Sequence, residues 1–241
     1  ALVRMKGTSF ICCGDFQQFS SVAEAWSGCP TLEGGLENSH MLLDMCDGNR
    51  LTLTENKRSD AKLFTFYTSL RCGKPDARGL QEALEEAKNL FPKLEGSADF
   101  VLTMSHKRRM QINRQENQLL KPSDAIFFRA PAATRSGNQP QSMYIWPGIR
   151  LVGAGGKCLK GLFYTVESTV DDFVFLNTGQ KLTKAECLNS LRLTYALTYA
   201  SCQGLTLRGR VRLETVSPHM TLKYLYVGIS RATSATLGEV I

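Results

Sequence analysis

The sequence predicts an α/β fold built on a largely parallel sheet, with a small all-β insert in its second half. Three patterns predict it. Between residues 8 and 120, short apolar runs alternate with amphipathic helical stretches, the order that lays helices on a parallel sheet. From Ile149 the period drops to two, with Gly153, Gly155, Gly156 and Asn177-Thr178-Gly179 at the turns, as in consecutive hairpins. The end of the chain reads again as strand, helix, strand: Arg210 to Val216, Thr221 to Ser230, and Leu237 to Ile241.

The elements follow in order. Thr8 to Cys13 is an apolar run closed by Gly14-Asp15, the mark of a buried parallel strand that ends in a loop. Pro30 and Gly34-Gly35 mark loops, Leu36 to Met45 suits a short helix, and Arg50-Leu-Thr-Leu-Thr54 alternates as a strand. Ser59 or Asp60 caps a helix whose apolar face is Leu63, Phe64, Phe66, Tyr67 and Leu70. A second helix, acidic outside, covers roughly Gly79 to Leu90. Asp99 to Thr103 is a core strand. Lys107 to Leu120 is a basic amphipathic helix with Met110, Ile112 and Leu119 apolar. Residues 122–148 show no clear pattern. Strands then fall at Ile149 to Val152, Leu162 to Glu167 and Asp172 to Leu176, an arrangement suited to a small barrel. Leu191 to Thr198 returns to the main sheet.

Composition narrows the class. Of the 241 residues, 43% are hydrophobic and 21% charged, enough apolar surface for one large core or two smaller ones. The net charge of +7 favours a polyanionic partner. The eight cysteines show no C-x-x-C spacing, which argues against a zinc site or a redox motif. They sit in apolar runs such as Phe10-Ile-Cys-Cys13 and read as reduced, buried thiols, so an intracellular location, cytoplasm or nucleus, is expected. No signal peptide and no membrane-spanning run is present.

Four segments carry side chains suited to a phosphate. In Gly14-Asp15-Phe16-Gln17-Gln18 the glycine permits a tight strand exit. A neutral Gln there can hold a phosphate oxygen and a water without desolvating a charge. An ordinary strand-to-loop exit explains the same residues. Asn56-Lys57-Arg58 offers a guanidinium fork that matches a phosphate, or a plain surface arginine beside a helix. Thr198-Tyr-Ala-Ser-Cys-Gln203-Gly204-Leu-Thr206 sets Gln-Gly after a strand, where the backbone can approach a phosphate or sugar closely. Tyr224-Leu-Tyr-Val-Gly-Ile-Ser-Arg231 places an arginine directly after an apolar helix. A full charge is unusual there unless it is paired or caps the negative pole of the helix.

Taken in order, these segments resemble motifs III, IV, V and VI of superfamily 1 helicases, most closely the RecD/Pif-like branch. The resemblance implies a RecA-like parallel-sheet domain with a small β insert, preceded by the remnant of a first RecA-like domain. Residues 1–46 would be that C-terminal remnant, and 47–241 the second domain with its insert at about 140–185. It also implies an ATP-dependent helicase that uses ATP with Mg2+ to move along nucleic acid, single-stranded DNA foremost. In the family, Gln18 senses the terminal phosphate, Arg58 grips it, and Arg231 reaches across as an arginine finger. By the same resemblance Gly14, Asp15, Gln203 and Gly204 line the nucleotide. Thr198, Ser201, Lys107 and Arg108 face the nucleic acid, and no metal ligand is expected. The stretch His106-Lys-Arg-Arg109 is either a solvated basic face or part of that nucleic-acid path.

The sequence departs from the family pattern in two ways. Family members carry His and Lys just before the Gln-Gly pair, where Ala200 and Ser201 stand here. No complete Walker A loop is present: in Gly153-Ala-Gly-Gly156-Lys157-Cys158, position 151 is Leu and Cys follows the Lys, so a glycine-rich turn is expected. No Asp-Glu pair precedes Gly14 to serve as Walker B. In the family both precede motif III, so a missing N-terminal RecA-like region is expected to supply them. Ala1 in place of Met agrees with that, and the chain alone is expected to be catalytically inactive. Two alternatives share these residues: a viral-type superfamily 1 RNA helicase, and a degenerate module that binds nucleic acid without catalysis.

Overall fold

Residues 11–16, 18–19, 25–26, 29–30, 40–73, 76–131 and 139–241 are described in the computed structural model of the chain. The chain forms two units, Ala1–Lys57 and Arg58–Ile241. The division falls later than the boundary expected after residue 46.

In the first unit Ala25–Trp26 (β1) and Cys29–Pro30 (β2) pair antiparallel, and His40–Met45 forms helix α1. The strand expected from Thr8 lies partly outside the described residues. Its described part, Ile11 to Cys13, is in no strand; Ile11 is 90% exposed, and Cys12 and Cys13, expected to be buried, are exposed because no sheet covers them there. The strand expected at Arg50 to Thr54 is not formed: this stretch has no regular structure, and Leu51 and Leu53 are both 95% exposed. Alternation gives a segment two faces. It becomes a strand only when a neighbour accepts its backbone hydrogen bonds and covers one face.

The second unit opens with a well-marked cap. Asp60 accepts from the Leu63 N–H at 2.9 Å and starts α2, Ala61–Ser69, which buries Leu63, Phe66 and Tyr67 as the apolar spacing predicted. Asp76 caps α3, Ala77–Leu90, in the same way. Phe100–Thr103 (β3) follows, buried at all four positions, and Ser105 caps α4, His106–Leu120. The next elements are Ile126–Phe128 (β4), Met143–Ile145 (β5), Arg150–Gly153 (β6), Phe163–Val170 (β7), Phe173–Leu176 (β8), Lys181–Thr183 (β9), Lys184–Ser190 (α5) and Leu191–Leu193 (β10). Ala196–Thr198 (β11), Val211–Leu213 (β12), Leu222–Ile229 (α6) and Gly238–Val240 (β13) complete the unit.

The main sheet has the order β11-β3-β12-β13 and is parallel throughout, the α/β class expected, with a RecA-like parallel sheet. Helix α6 packs on β12 and against α2 and α3; α4 packs on β3 and β11. A Cβ at Gly228 in α6 would lie 2.5 Å from the Tyr199 ring and 2.8 Å from Leu213, so glycine is what lets the helix sit on the sheet. Glu239 on β13 is fully buried and held between Arg210 and Arg212, each at 2.8 Å.

The insert is wider than expected, running from β4 to β10. The pair β4-β5 and the antiparallel sheet β10-β6-β7-β8-β9 close on one core that includes Phe128, Ile145, Tyr164, Val174, Leu182 and Leu191. Strands β4 and β5 arise from the region that showed no pattern. The stretch Leu191 to Thr198 does not return to the main sheet as one piece. Its first half, β10, pairs antiparallel with β6 in the insert, and only β11 joins β3. Gly153 ends β6, and Gly155 to Cys158 makes the glycine-rich turn that was expected. A Cβ at Gly153 would meet the Leu159 carbonyl oxygen at 2.0 Å, and Lys157 is ion-paired to Glu186 at 2.6 Å.

Helix α4 joins sheet and insert through two buried amides one turn apart. Asn113 donates to the Ala196 carbonyl at 3.0 Å and accepts the Ala196 N–H at 2.8 Å. Asn117 does the same for Tyr144 of β5, at 2.9 and 2.7 Å. Ala196 stands on an edge strand, so Asn113 takes up backbone groups that would otherwise invite another strand. Leu119, expected on the buried face, is 74% exposed; the buried stripe is Arg109, Ile112, Asn113 and Asn117.

Candidate nucleotide and nucleic-acid site

The first-unit residues form one turn. The Gln18 N–H meets the Asp15 carbonyl at 3.2 Å, and its side-chain amide donates to Asp15 Oδ2 at 3.1 Å. Gly14 is exposed, and a Cβ there would meet nothing within 4 Å. Gln18 and Asp15 are thus both half-buried and hold each other.

In the second unit three of the four segments meet. Arg58 is exposed, and its Nη1 donates to the Ser230 carbonyl at 3.3 Å. Arg231 is 1% exposed. Its Nε donates to the Val227 carbonyl at 3.0 Å, its Nη1 to the Leu205 carbonyl at 3.2 Å and its Nη2 to the Ser230 hydroxyl at 2.8 Å. Its own carbonyl accepts the Leu207 N–H at 2.9 Å. Arg231 therefore caps the end of α6 and ties that end to the loop carrying Gln203 and Gly204. A second tie comes from Asp60, whose Oδ2 accepts from the Ala235 N–H at 2.6 Å and the Ser234 hydroxyl at 2.9 Å. Burial acts to raise the Asp60 pKa, and the hydrogen bonds from Leu63, Ala235 and Ser234 outweigh it, so the carboxyl stays below its ordinary value.

The loop after β11 is closed on itself. Thr198 and Ser201 hydroxyls lie 3.0 Å apart, the Thr198 N–H donates to Ser201 Oγ at 2.9 Å, and Ser201 Oγ donates to the Thr198 carbonyl at 2.9 Å. Gly204 has φ +84°, a conformation that disfavours any side chain, and Gln203 beside it is exposed. Cys202 is buried under this loop. Burial pushes its thiol up to about 12, although the Arg231 charge acts in the opposite direction.

Of the residues expected on nucleic acid, Thr198 ends β11 and Ser201 follows it, while Lys107 and Arg108 open α4 after β3, on the carboxyl side of parallel strands, where such sheets hold their ligands. Lys107 is exposed at the start of α4. Arg108 is bound to Glu214, Nη2 to Oε1 at 2.6 Å and Nε to Oε2 at 3.1 Å, so its charge is already matched. Arg109 is buried; burial and the nearby Arg192 charge bring it down to about 10. Thus of His106-Lys-Arg-Arg109, only Lys107 presents an exposed cation outside an ion pair with Glu214. Ser230, Glu214, Asn113 and Asn117 were not legible as site or scaffold residues. The one signal was two amides at i and i+4 in a helix, on the face that carries Ile112. Among the described residues no group of three His, Cys, Asp or Glu could hold a metal ion, and no helix is long and apolar enough to cross a membrane.

The sequence matches no protein-family model and no curated protein. Its fold is that of Pif1 helicases. A crystal structure of Pif1 helicase from Candida albicans superposes with TM-score 0.58 at 16% identity, covering 95% of this chain and 63% of that one. Pif1 helicase from Bacteroides, in complex with ADP-AlF3 and ssDNA, superposes with TM-score 0.54 at 17% identity, covering 94% and 60%. The chain spans about 60% of the length of these structures. At such identity the likeness concerns the fold alone.

Proposed function

We propose that the chain is the C-terminal part of an ATP-dependent helicase that moves along single-stranded nucleic acid, DNA foremost. The observation that carries this reading is the meeting of Arg58, Arg231 and the Gln203-Gly204 loop around Ser230, in a fold shared with helicases. Three segments far apart in sequence converge there, and two of them bring a guanidinium.

The fit to a nucleotide differs between the two arginines. Arg58 is exposed with its fork at the surface, a geometry suited to the terminal phosphate of ATP. Arg231 is inside, its donors on carbonyls and a hydroxyl, so its service as a finger requires it to leave Leu205 and turn outward. The neighbouring loop would move with it, which couples Gln203 and Gly204 to the same event. ATP with Mg2+ supplies the energy-releasing phosphoryl transfer. The Walker A and B residues that hold the nucleotide belong to sequence other than these 241 residues.

The non-catalytic alternative keeps one supporting observation: Thr198 and Ser201 bond to each other, and the usual His and Lys are Ala200 and Ser201. One experiment separates the readings. The purified chain is mixed with a labelled single strand, with and without ATP, and both binding and phosphate release are measured. Strand binding without hydrolysis is expected from the chain alone. In a protein that also carries the Walker segments, Arg58→Ala is expected to lower strand-stimulated hydrolysis, since it removes the fork that grips the terminal phosphate. Hydrolysis by the isolated chain means that it holds a complete cradle of its own. Wild-type hydrolysis absent even with those segments leaves the non-catalytic module.

A further inference from the structure

The β4-β5 ribbon carries an aromatic face that none of the four helicase-like segments includes. Phe127 and Tyr144 are paired directly across the two strands, their ring centroids 4.9 Å apart and tilted by 48°. The other face of the ribbon, with Phe128, Met143 and Ile145, is in the insert core. Phe127 is 46% exposed, unusual for a ring of this size in a strand that has a core available. Lys121 sets its ammonium 4.0 Å from the Tyr144 ring centroid, and exposed Arg129 stands just past the end of β4, two residues after Phe127. The platform is held from behind, because buried Asn117 both donates to the Tyr144 carbonyl and accepts its N–H. Trp146, two residues beyond Tyr144, lines an adjoining open cleft of about 480 Å³.

We propose that Phe127 and Tyr144 are a base-stacking platform for single-stranded nucleic acid, with Lys121 and Arg129 meeting the phosphates beside it. Exposed rings flanked by cations suit a ligand whose flat π-faces alternate with negative charge, and a single strand has both at every step. An acidic peptide would use the cations and leave the rings wet; an apolar protein surface would leave the cations unmatched. Rigid rings lose little conformational freedom on binding, and Asn117 has already fixed the backbone under Tyr144. The site would read no sequence, since every base offers a face to stack. The proposal rests on the nucleic-acid reading above and adds to it a contact through bases rather than phosphates.

The test uses the whole chain and two strands of equal length and charge, an oligothymidylate and its abasic counterpart, with affinity read by fluorescence anisotropy. Phe127→Ala is expected to weaken thymidylate binding by roughly 5- to 150-fold, the range for loss of one base–aromatic stack, and to leave abasic binding unchanged. Phe127→Trp is expected to restore the affinity, with its emission quenched by the thymidylate strand alone. Equal loss on both strands, or no loss on either, overturns the platform and leaves the helicase reading intact. Failure of the wild-type chain to bind either strand overturns both. Phe127 is half exposed, so the variants are expected to melt like the wild type, and a melting curve checks this.

Discussion

Among the described residues Arg231 is the largest side chain held wholly inside, and its neighbours say what it does there. Three acceptors surround the guanidinium, two of them main-chain carbonyls. A buried charge of this kind is tolerated because its donors are met. The cap at the end of α6 and the finger of a phosphoryl-transfer site are therefore two positions of one residue: the first is observed, the second proposed. Arg231→Ala is expected to lower folding stability by about 3 kcal/mol, since it leaves the Leu205 carbonyl without its donor and opens a void. Arg231→Lys keeps the charge and loses the fork, so an intermediate loss is expected. Urea unfolding measures both. If Arg231→Ala unfolds at the wild-type midpoint, the side chain is not anchored in solution as it is here. Loss of activity in that variant could then be assigned to the finger role alone.

At the scale of elements, helix α5 is stabilised at its start by a capping box between Thr183 and Glu186, reinforced by the Lys157–Glu186 ion pair. The side-chain bond from Lys157, then the backbone bond from Thr183, bring the Glu186 carboxyl down to about 2 from an ordinary 4.5. A depressed carboxyl pKa stabilises the fold above the ordinary value, and that contribution disappears as pH falls toward 2. Glu186→Gln is therefore expected to be less stable than wild type at neutral pH and to lose less stability between pH 4.5 and 2. Acid unfolding curves, followed by the fluorescence of Trp146 against the insert core, check this. Elements such as α2, α3, α4 and α6 were legible because caps and apolar stripes are local signals. Strands β4 and β5 were not: three residues give too few alternations, and what makes them strands is the distant core and Asn117. The run from Leu191 to Thr198 hid a change of sheet for a related reason. An apolar stretch records that it is buried, not which neighbour buries it. At Arg50 to Thr54 the failure ran the other way, with the alternation present and no strand paired with it among the described residues. The candidate site was legible only as separate segments. That Arg58 and Arg231 share Ser230 is a fact of packing.

At the scale of the whole molecule, net charge is a weaker guide than its distribution. The chain carries +7, yet several of its arginines are spent internally: Arg210 and Arg212 on Glu239, Arg108 on Glu214, Arg231 on carbonyls. Only charges that meet phosphates release counterions, so the salt dependence of strand binding counts them directly. Lys107 stands exposed at the carboxyl edge of the parallel sheet and has no carboxylate within hydrogen-bond reach in its described surroundings. Lys107→Ala is therefore expected to flatten the plot of log affinity against log salt by about one unit. Arg108→Ala is expected to change it less, because the lost cation leaves Glu214 behind and the two were already compensated. Glu214→Gln provides the converse. By releasing Arg108 toward the strand it is expected to steepen the plot and tighten binding at low salt. Anisotropy titrations of a single strand across a salt series measure all three slopes. Equal flattening by Lys107→Ala and Arg108→Ala, with no change from Glu214→Gln, means that the Arg108–Glu214 pair opens whenever a strand binds. The pair would then compete with the phosphate instead of withholding the arginine from it.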